Sequence, residues 1–181
     1  MIIPSPHDLV NVSSCYPVLV ETSLYKPVGS TIVPARTEPF KASDFYWTRS
    51  GLYLGDGSNF EDSLDLDKIV DSAPERPYVA LLLKMNVYNK EIRKELAENH
   101  LSAPEDIAAL IKAQPAGKFG FLLSNRRLNI FFVRGKYGEI FVMRVEWSSC
   151  YHEWILGLSK LDQFGYLDAG RQIICPGTAV L

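Results

Sequence analysis

The stretch RLNIFFVRGKYGEIFVMRVEW, residues 127–147, contains two apolar runs separated by a short turn that holds two glycines. Each run has the length of a strand, and the turn is short enough to join them as an antiparallel hairpin. In the first run, Phe131 and Val133 alternate with Ile130 and Phe132, so apolar side chains lie on both sides of the pleat. A sheet built on this strand must therefore be covered on both faces.

Further strand-like runs lie on both sides of this hairpin. The segment RPYVALLLKMNVY (76–88) has the clearest composition of a buried strand. KFGFLL (118–123), YHEWILGL (151–158) and RQIIC (171–175) are each bounded by turn residues. Their close spacing favours antiparallel hairpins, because a parallel crossover needs a dozen or more residues.

Two helices are predicted between the buried strand and the hairpin, over about 89–99 and 103–114. Ser102 as N-cap and Glu105 three residues later indicate a capping box at the start of the second helix. Pro115 ends that helix. We expect the two to form a helical hairpin, about 89–114, packed on one face of the sheet.

The first forty residues contain six of the eleven prolines. Because proline cannot donate to a central ladder, we expect residues 1–40 to be an extended arm with short edge strands near 18–21 and 30–33. The predicted fold is α+β: one domain over 1–181, with the arm and a body at 41–181. The body holds a single antiparallel or mixed sheet of about five to seven strands.

Composition excludes several classes of protein. The chain is 47% hydrophobic and 22% charged with a formal net charge of −2, so no strong overall field attracts nucleic acid or an anionic membrane. Its apolar runs are too short for a membrane span, and the N-terminus shows no signal-peptide pattern. Three widely separated cysteines favour reduced thiols and a cytoplasmic location. We find no nucleotide, zinc-protease or hydrolase motif and predict no cofactor.

A candidate for nucleophilic catalysis lies in SSCYHEWIL (148–156), where Cys150, His152 and Glu153 fall within four positions. On a strand over 151–158, Cys150, His152 and Trp154 would share one face, and Glu153 would take the other. Parallel side chains on a strand seldom give a good nucleophile–base hydrogen bond. A packed thiol beside a histidine is the favoured interpretation.

A candidate binding surface lies in DFYWTRSGLYLGDG (44–57), which gathers aromatic residues among turn glycines. Aromatic residues and arginine are common at the energetic centres of protein interfaces. The predicted contact residues are Tyr46, Trp47, Arg49 and Tyr53.

A second candidate surface is the basic region 117–147, with six basic residues against two acidic ones. Arg126 and Arg127 lie in a predicted turn, and the interleaved aromatics are typical of both a strand core and a single-strand stacking platform. The acidic run 56–75 does not match a calcium-binding loop, so we predict no metal site.

These observations favour a non-enzymatic protein-interaction or assembly module that binds itself or a protein partner and no membrane. Two alternatives remain open. One is a small hydrolase or transferase with a site near His152. The other is a single-stranded nucleic-acid binder that uses the hairpins of 118–147.

Overall fold

The computed structural model describes residues 18–37, 52–54, 60–64, 72–97, 100–125, 127–163 and 165–179. The strands are β1 (Val18–Leu19), β2 (Tyr25–Val33), β3 (Leu52–Leu54), β4 (Arg76–Leu83), β5 (Val87–Tyr88), β6 (Asn129–Arg134), β7 (Ile140–Ser148), β8 (Glu153–Lys160), β9 (Tyr166–Leu167), β10 (Gln172–Pro176) and β11 (Thr178–Ala179). The helices are α1 (Phe60–Ser63), α2 (Asn89–Ile92), which runs into a π-helix at Arg93–Ala97, and α3 (Pro104–Ala113).

Seven strands form the central sheet in the order β2-β4-β10-β6-β7-β8-β3, and β1–β11 and β5–β9 form two small ladders. The sheet is mixed. β6, β7 and β8 are antiparallel neighbours, whereas β10 pairs in parallel with β6 and β3 pairs in parallel with β8. The prediction of one antiparallel or mixed sheet of about five to seven strands is therefore confirmed, and the sheet has seven strands.

The sheet is apolar on both faces, as the alternation in β6 predicts. Ile130, Phe131, Phe132 and Val133 are all 0% exposed. Phe131 and Val133 belong to one buried cluster with Tyr78 and Trp154, and we call that side face A. Ile130 and Phe132 belong to a second cluster, on face B. Full burial of such side chains stabilises each by about 2 kcal/mol, which makes β6 the centre of the core.

The predicted helical hairpin on one face is not confirmed, because the two helical segments contribute to different clusters. Ile107 and Ile111 of α3 pack on face A. Ile92 and Leu96, from α2 and the π-helix, pack on face B. Periodicity identifies the apolar side of a helix, but it does not identify the sheet face that the side meets.

The residues immediately before α3, 100–103, lie beside β10 and β6. The β10–β6 ladder contains only the pairs from Gln172 and Ile173. Beyond it, Ser102 donates its backbone N–H to the Phe132 carbonyl (2.7 Å) and its hydroxyl to the Ile174 carbonyl (3.5 Å). Ser102 thus bonds to both strands where their own pairing has ended. It is not the predicted N-cap: Ala103 holds that position, and no side chain caps α3.

The first turn of α3 is tied to the sheet by buried charges. Asp106, 3% exposed, accepts hydrogen bonds from Arg76 and from the Tyr78 hydroxyl, both at 2.9 Å. Glu105 lies 3.8 Å from Arg36. Acidic side chains in a first turn also interact favourably with the helix dipole. These contacts anchor α3 on face A without a side-chain cap.

Residues 118–123, predicted as a strand, form an irregular segment held by buried amides. Gln114 accepts a hydrogen bond from the Leu122 N–H and donates to the carbonyls of Lys118 (2.9 Å) and Leu122 (3.0 Å). Asn129 accepts from the Leu123 N–H (2.8 Å) and donates to the Leu123 carbonyl (3.0 Å). These side chains satisfy backbone groups that a neighbouring strand would otherwise bond.

The described part of the predicted arm belongs partly to the sheet. β2 is an edge strand paired along its length with β4, with an irregularity between Pro27 and Gly29. Its terminal residues Tyr25 and Val33 are buried on faces B and A. Residues 1–17 and 38–40 lie outside the described residues, so the single-domain division stays a prediction.

Replacing Asn129 by leucine should lower the free energy of unfolding by about 3 kcal/mol. The leucine has similar size but leaves the Leu123 N–H, the Leu123 carbonyl and the Val145 carbonyl without the amide that bonds all three. Urea denaturation monitored by tryptophan fluorescence measures the change. Gln163→Ala, at an exposed position, is the control and should change it by less than about 0.5 kcal/mol. Equal stability of the two variants would contradict a structural role for the amide.

Candidate functional site

The Cys150–His152–Glu153 candidate falls in a turn. β7 and β8 remain paired as far as Ser148 and Glu153, so residues 149–152 connect the strands. His152 has a φ of 57°, the left-handed conformation, and both His152 and Cys150 are exposed. The strand begins only at Glu153, so Cys150 and His152 do not share a strand face with Trp154. The favoured interpretation of Cys150 as a packed thiol is wrong, because its side chain is exposed.

The chemistry available at this turn is limited. No hydrogen bond joins Cys150 to His152 among the described residues, and neither side chain is enclosed by the fold. The Tyr151 N–H donates to the Ser148 hydroxyl (3.3 Å), which tightens the turn. The three candidates therefore lie close in space but without a nucleophile–base contact.

Of the predicted aromatic contact residues, Tyr46, Trp47 and Arg49 lie outside the described residues. Tyr53 lies in β3, where its backbone is in register with Ile155 of β8. This pairing makes Leu52–Leu54 an edge strand of the sheet, next to β8.

The basic region is divided by the strands that it contains. Arg126 lies outside the described residues, and Arg127 is exposed just before β6. Arg134 and Lys136 follow at the other end of that strand, about 20 Å away at about 3.3 Å per residue. Several interleaved aromatics, Phe131, Phe132, Phe141 and Trp147 among them, are buried in the two clusters. The structure brings these cations and aromatics into no common groove within the described residues.

A surface that the sequence analysis did not identify lies on the β5–β9 ladder. Val87 pairs with Leu167, and both are buried on face B. The next pair, Tyr88 and Tyr166, points outward, with exposures of 63% and 55% and ring centroids 6.5 Å apart. Met85, in the turn before β5, is 49% exposed. We call Met85, Tyr88 and Tyr166 the tyrosine patch.

The sequence offers little signal for this patch, because each strand has only two residues. Alternation cannot be recognised over so short a length. Tyr88 falls at the end of the predicted 76–88 strand, and Tyr166 lies between the predicted strands 151–158 and 171–175, where the sequence analysis predicts no element. Only the pairing of distant segments brings the two rings together.

Two ion pairs lie on segments that adjoin the patch. Lys84 bonds Glu21 (2.9 Å), and Arg171 bonds Asp168 (3.2 Å). Glu91 accepts a hydrogen bond from the Tyr88 N–H (3.1 Å). Exposed pairs of this kind contribute little to stability, but they neutralise the charges of Lys84 and Arg171.

Among the described residues, the buried ionisable groups with displaced pKa values include Tyr78, Cys175 and His100. Burial, together with the adjacent Asp106 carboxylate, raises the pKa of Tyr78 well above its usual value. Burial raises the pKa of the Cys175 thiol to about 12. Burial lowers the pKa of His100, and a hydrogen bond to the Pro176 carbonyl opposes that effect. Displaced pKa values can mark active sites, but here the groups are covered by the core and act in packing.

The described residues contain no group of three or more His, Cys, Asp or Glu side chains able to hold a metal ion. Within the same residues, no helix has the length and apolar character needed to cross a bilayer. Comparison of the chain with protein-family models, curated proteins and solved structures finds no significant match.

The stability of the protein should fall in mildly acidic solution because of His100. Its pKa in the folded state lies below the ordinary 6.5, so the unfolded chain binds a proton first. The contribution of neutral His100 is complete above pH 6.5 and is lost as the pH falls towards the folded-state pKa. Its Nδ1 makes no hydrogen bond with a described residue, so a proton there gains no partner.

Urea denaturation from pH 8 to pH 5 tests this expectation. His100→Gln should flatten the loss of unfolding free energy between pH 6.5 and 5. His152→Gln, which alters an exposed histidine, should leave the profile of the unmodified chain unchanged. Identical profiles for all three proteins would show that His100 does not cause the pH dependence.

Proposed function

We propose that this protein is an assembly module that associates with a second copy of itself through the tyrosine patch. The observation that supports the proposal is the outward-facing pair Tyr88–Tyr166 on a ladder whose inward pair, Val87 and Leu167, is buried. Large aromatic side chains that remain exposed on an ordered element are typical contact residues of protein interfaces.

The patch is ordered before any partner binds. The β5–β9 ladder fixes the tyrosine backbones, and the buried pair beneath prevents the ladder from turning over. Tyrosine has few rotatable bonds, so little side-chain entropy is lost when its ring is covered. The conformational entropy lost on binding therefore subtracts little from the binding free energy at this surface.

A second copy is the partner that the charges favour. The cations Lys84 and Arg171 are each paired with a carboxylate, so neither provides an unpaired positive charge for a polyanion. A surface of balanced charge is complementary to another of the same kind, as occurs across a two-fold axis. The patch alone is small, so we expect weak association, with a Kd of about 10–500 μM.

A cytoplasmic location is part of the proposal. Cys150 is a free, exposed thiol, and such thiols persist most readily in a reducing compartment.

Sedimentation velocity over a range of protein concentrations tests the proposal. The unmodified chain should show a concentration-dependent shift from monomer to dimer. Tyr88→Ser combined with Tyr166→Ser should weaken association at least about tenfold, since it removes both rings from the contact. Both residues are more than half exposed, so the double variant should keep its fold.

Tyr151→Ser is the matched control. Tyr151 is 72% exposed in the β7–β8 turn, at the opposite end of β7 from the β6–β7 turn, and its replacement should leave association unchanged. A chain that stays monomeric up to about 1 mM would refute self-assembly. Equal weakening by the control and the double variant would show that the tyrosine patch is not the interface.

A further inference from the structure

A cavity of about 310 Å³ lies at the end of β6 and β7 that carries the β6–β7 turn. The residues that line it are Arg93, Arg134, Gly138, Glu139, Ile140 and Asp162. They come from the π-helix, the two strands with their turn, and the 3₁₀ turn Leu161–Gln163. Its volume is at the lower limit for small-molecule sites, which begin at about 300 Å³.

The walls of the cavity are fixed by backbone contacts. The Gly135 N–H donates to the Glu139 carbonyl (2.7 Å), which closes the β6–β7 turn. The Lys136 N–H donates to the Ser63 carbonyl (2.9 Å), which fastens the turn to α1. Ile140 is buried in the face-B cluster and supplies an apolar surface. The cavity therefore exists without a ligand to organise it.

The two arginines of the cavity differ in how they are engaged. Arg93 forms an ion pair with Asp162. Arg134 forms no ion pair with a described residue, and its hydrogen bond to the Gly138 carbonyl is long, at 3.4 Å. Arginine can bind a carboxylate through two parallel hydrogen bonds. Arg134 is thus the cation of the cavity best placed to bind an anionic group of a ligand.

The two carboxylates restrict which anion can bind. The Glu139 side chain accepts a hydrogen bond from the Tyr137 N–H (3.0 Å), and Asp162 forms its pair with Arg93, so both remain at the cavity wall. A phosphate dianion would be repelled by them. A ligand that carries both a cation and a carboxylate would instead be attracted to the arginine side and to the carboxylate side of the cavity.

We propose that this cavity binds a small zwitterion, such as a free amino acid. Its carboxylate would pair with Arg134, its ammonium would face Glu139 and Asp162, and its side chain would contact Ile140. None of the residues that line this cavity belongs to the tyrosine patch, so ligand binding can be measured whether or not the chain self-associates.

Chemical-shift titration of the full chain, labelled with ¹⁵N, tests the proposal. The probes are L-leucine, acetate as the anion alone, and ethylamine as the cation alone. We expect L-leucine to bind saturably and to shift the amides of Gly135, Gly138 and Ile140. Acetate and ethylamine should each bind at least about tenfold more weakly, because each meets only one of the two walls.

Two arginine variants test whether Arg134 binds the carboxylate of the ligand. Arg134→Gln should weaken L-leucine binding at least about tenfold, since it removes the carboxylate partner. Arg127→Gln, at the opposite end of β6, should leave the affinity within about twofold. No saturable shift at the three cavity amides, or equal loss in both variants, would overturn the proposal.

Glu139→Gln provides a second test if Arg134→Gln disturbs the fold. Removing this negative charge should weaken the binding of L-leucine and strengthen that of acetate. A parallel change for both probes would contradict the assigned orientation.

Discussion

The structure depends on the burial of β6 on both sides. Four consecutive side chains, Ile130–Val133, alternate across the pleat and are all excluded from solvent. No single layer of helices can cover both faces, so the chain must supply a cover for each. α3 covers face A, and α2 with the π-helix covers face B.

The need to cover both faces of the sheet explains why polar groups lie in the interior. The two covers are consecutive in sequence, so their short connection has to pass from one face to the other. A connection that crosses a sheet carries backbone groups that need partners. Ser102 donates hydrogen bonds to the carbonyls of Phe132 and Ile174, beside a β10–β6 ladder that is only two residues long. The Arg76–Tyr78–Asp106 contacts then hold α3 in place immediately after the crossing.

Much of the sheet could be predicted from the sequence, because short apolar runs bounded by turn residues indicate buried strands. β4, β6, β7 and β10 lie where these patterns put them, and the two-sided core follows from Phe131 and Phe132 alone. The helical hairpin is not confirmed, and the sequence pattern could not have tested it: a capping pattern at Ser102 and Glu105 is local, whereas the route of the connection depends on how far β10 and β6 stay paired. The prediction of a strand over 118–123 is wrong, because the side-chain amides of Gln114 and Asn129 bond the backbone groups that a neighbouring strand would otherwise bond.

The candidate sites depend on the same kind of non-local information. The segment 87–97 and the segment that contains Asp162, Tyr166 and Leu167 meet in three places: the Val87–Leu167 pair, the Tyr88–Tyr166 rings and the Arg93–Asp162 ion pair. The tyrosine patch and the cavity are thus built partly from the same two segments. A ligand that displaces the Arg93–Asp162 pair would act on the elements that hold the two tyrosines. Ligand binding and dimerisation are then thermodynamically linked. If the dimer binds the ligand more tightly than the monomer by some factor per site, the ligand must favour dimerisation by the corresponding free energy.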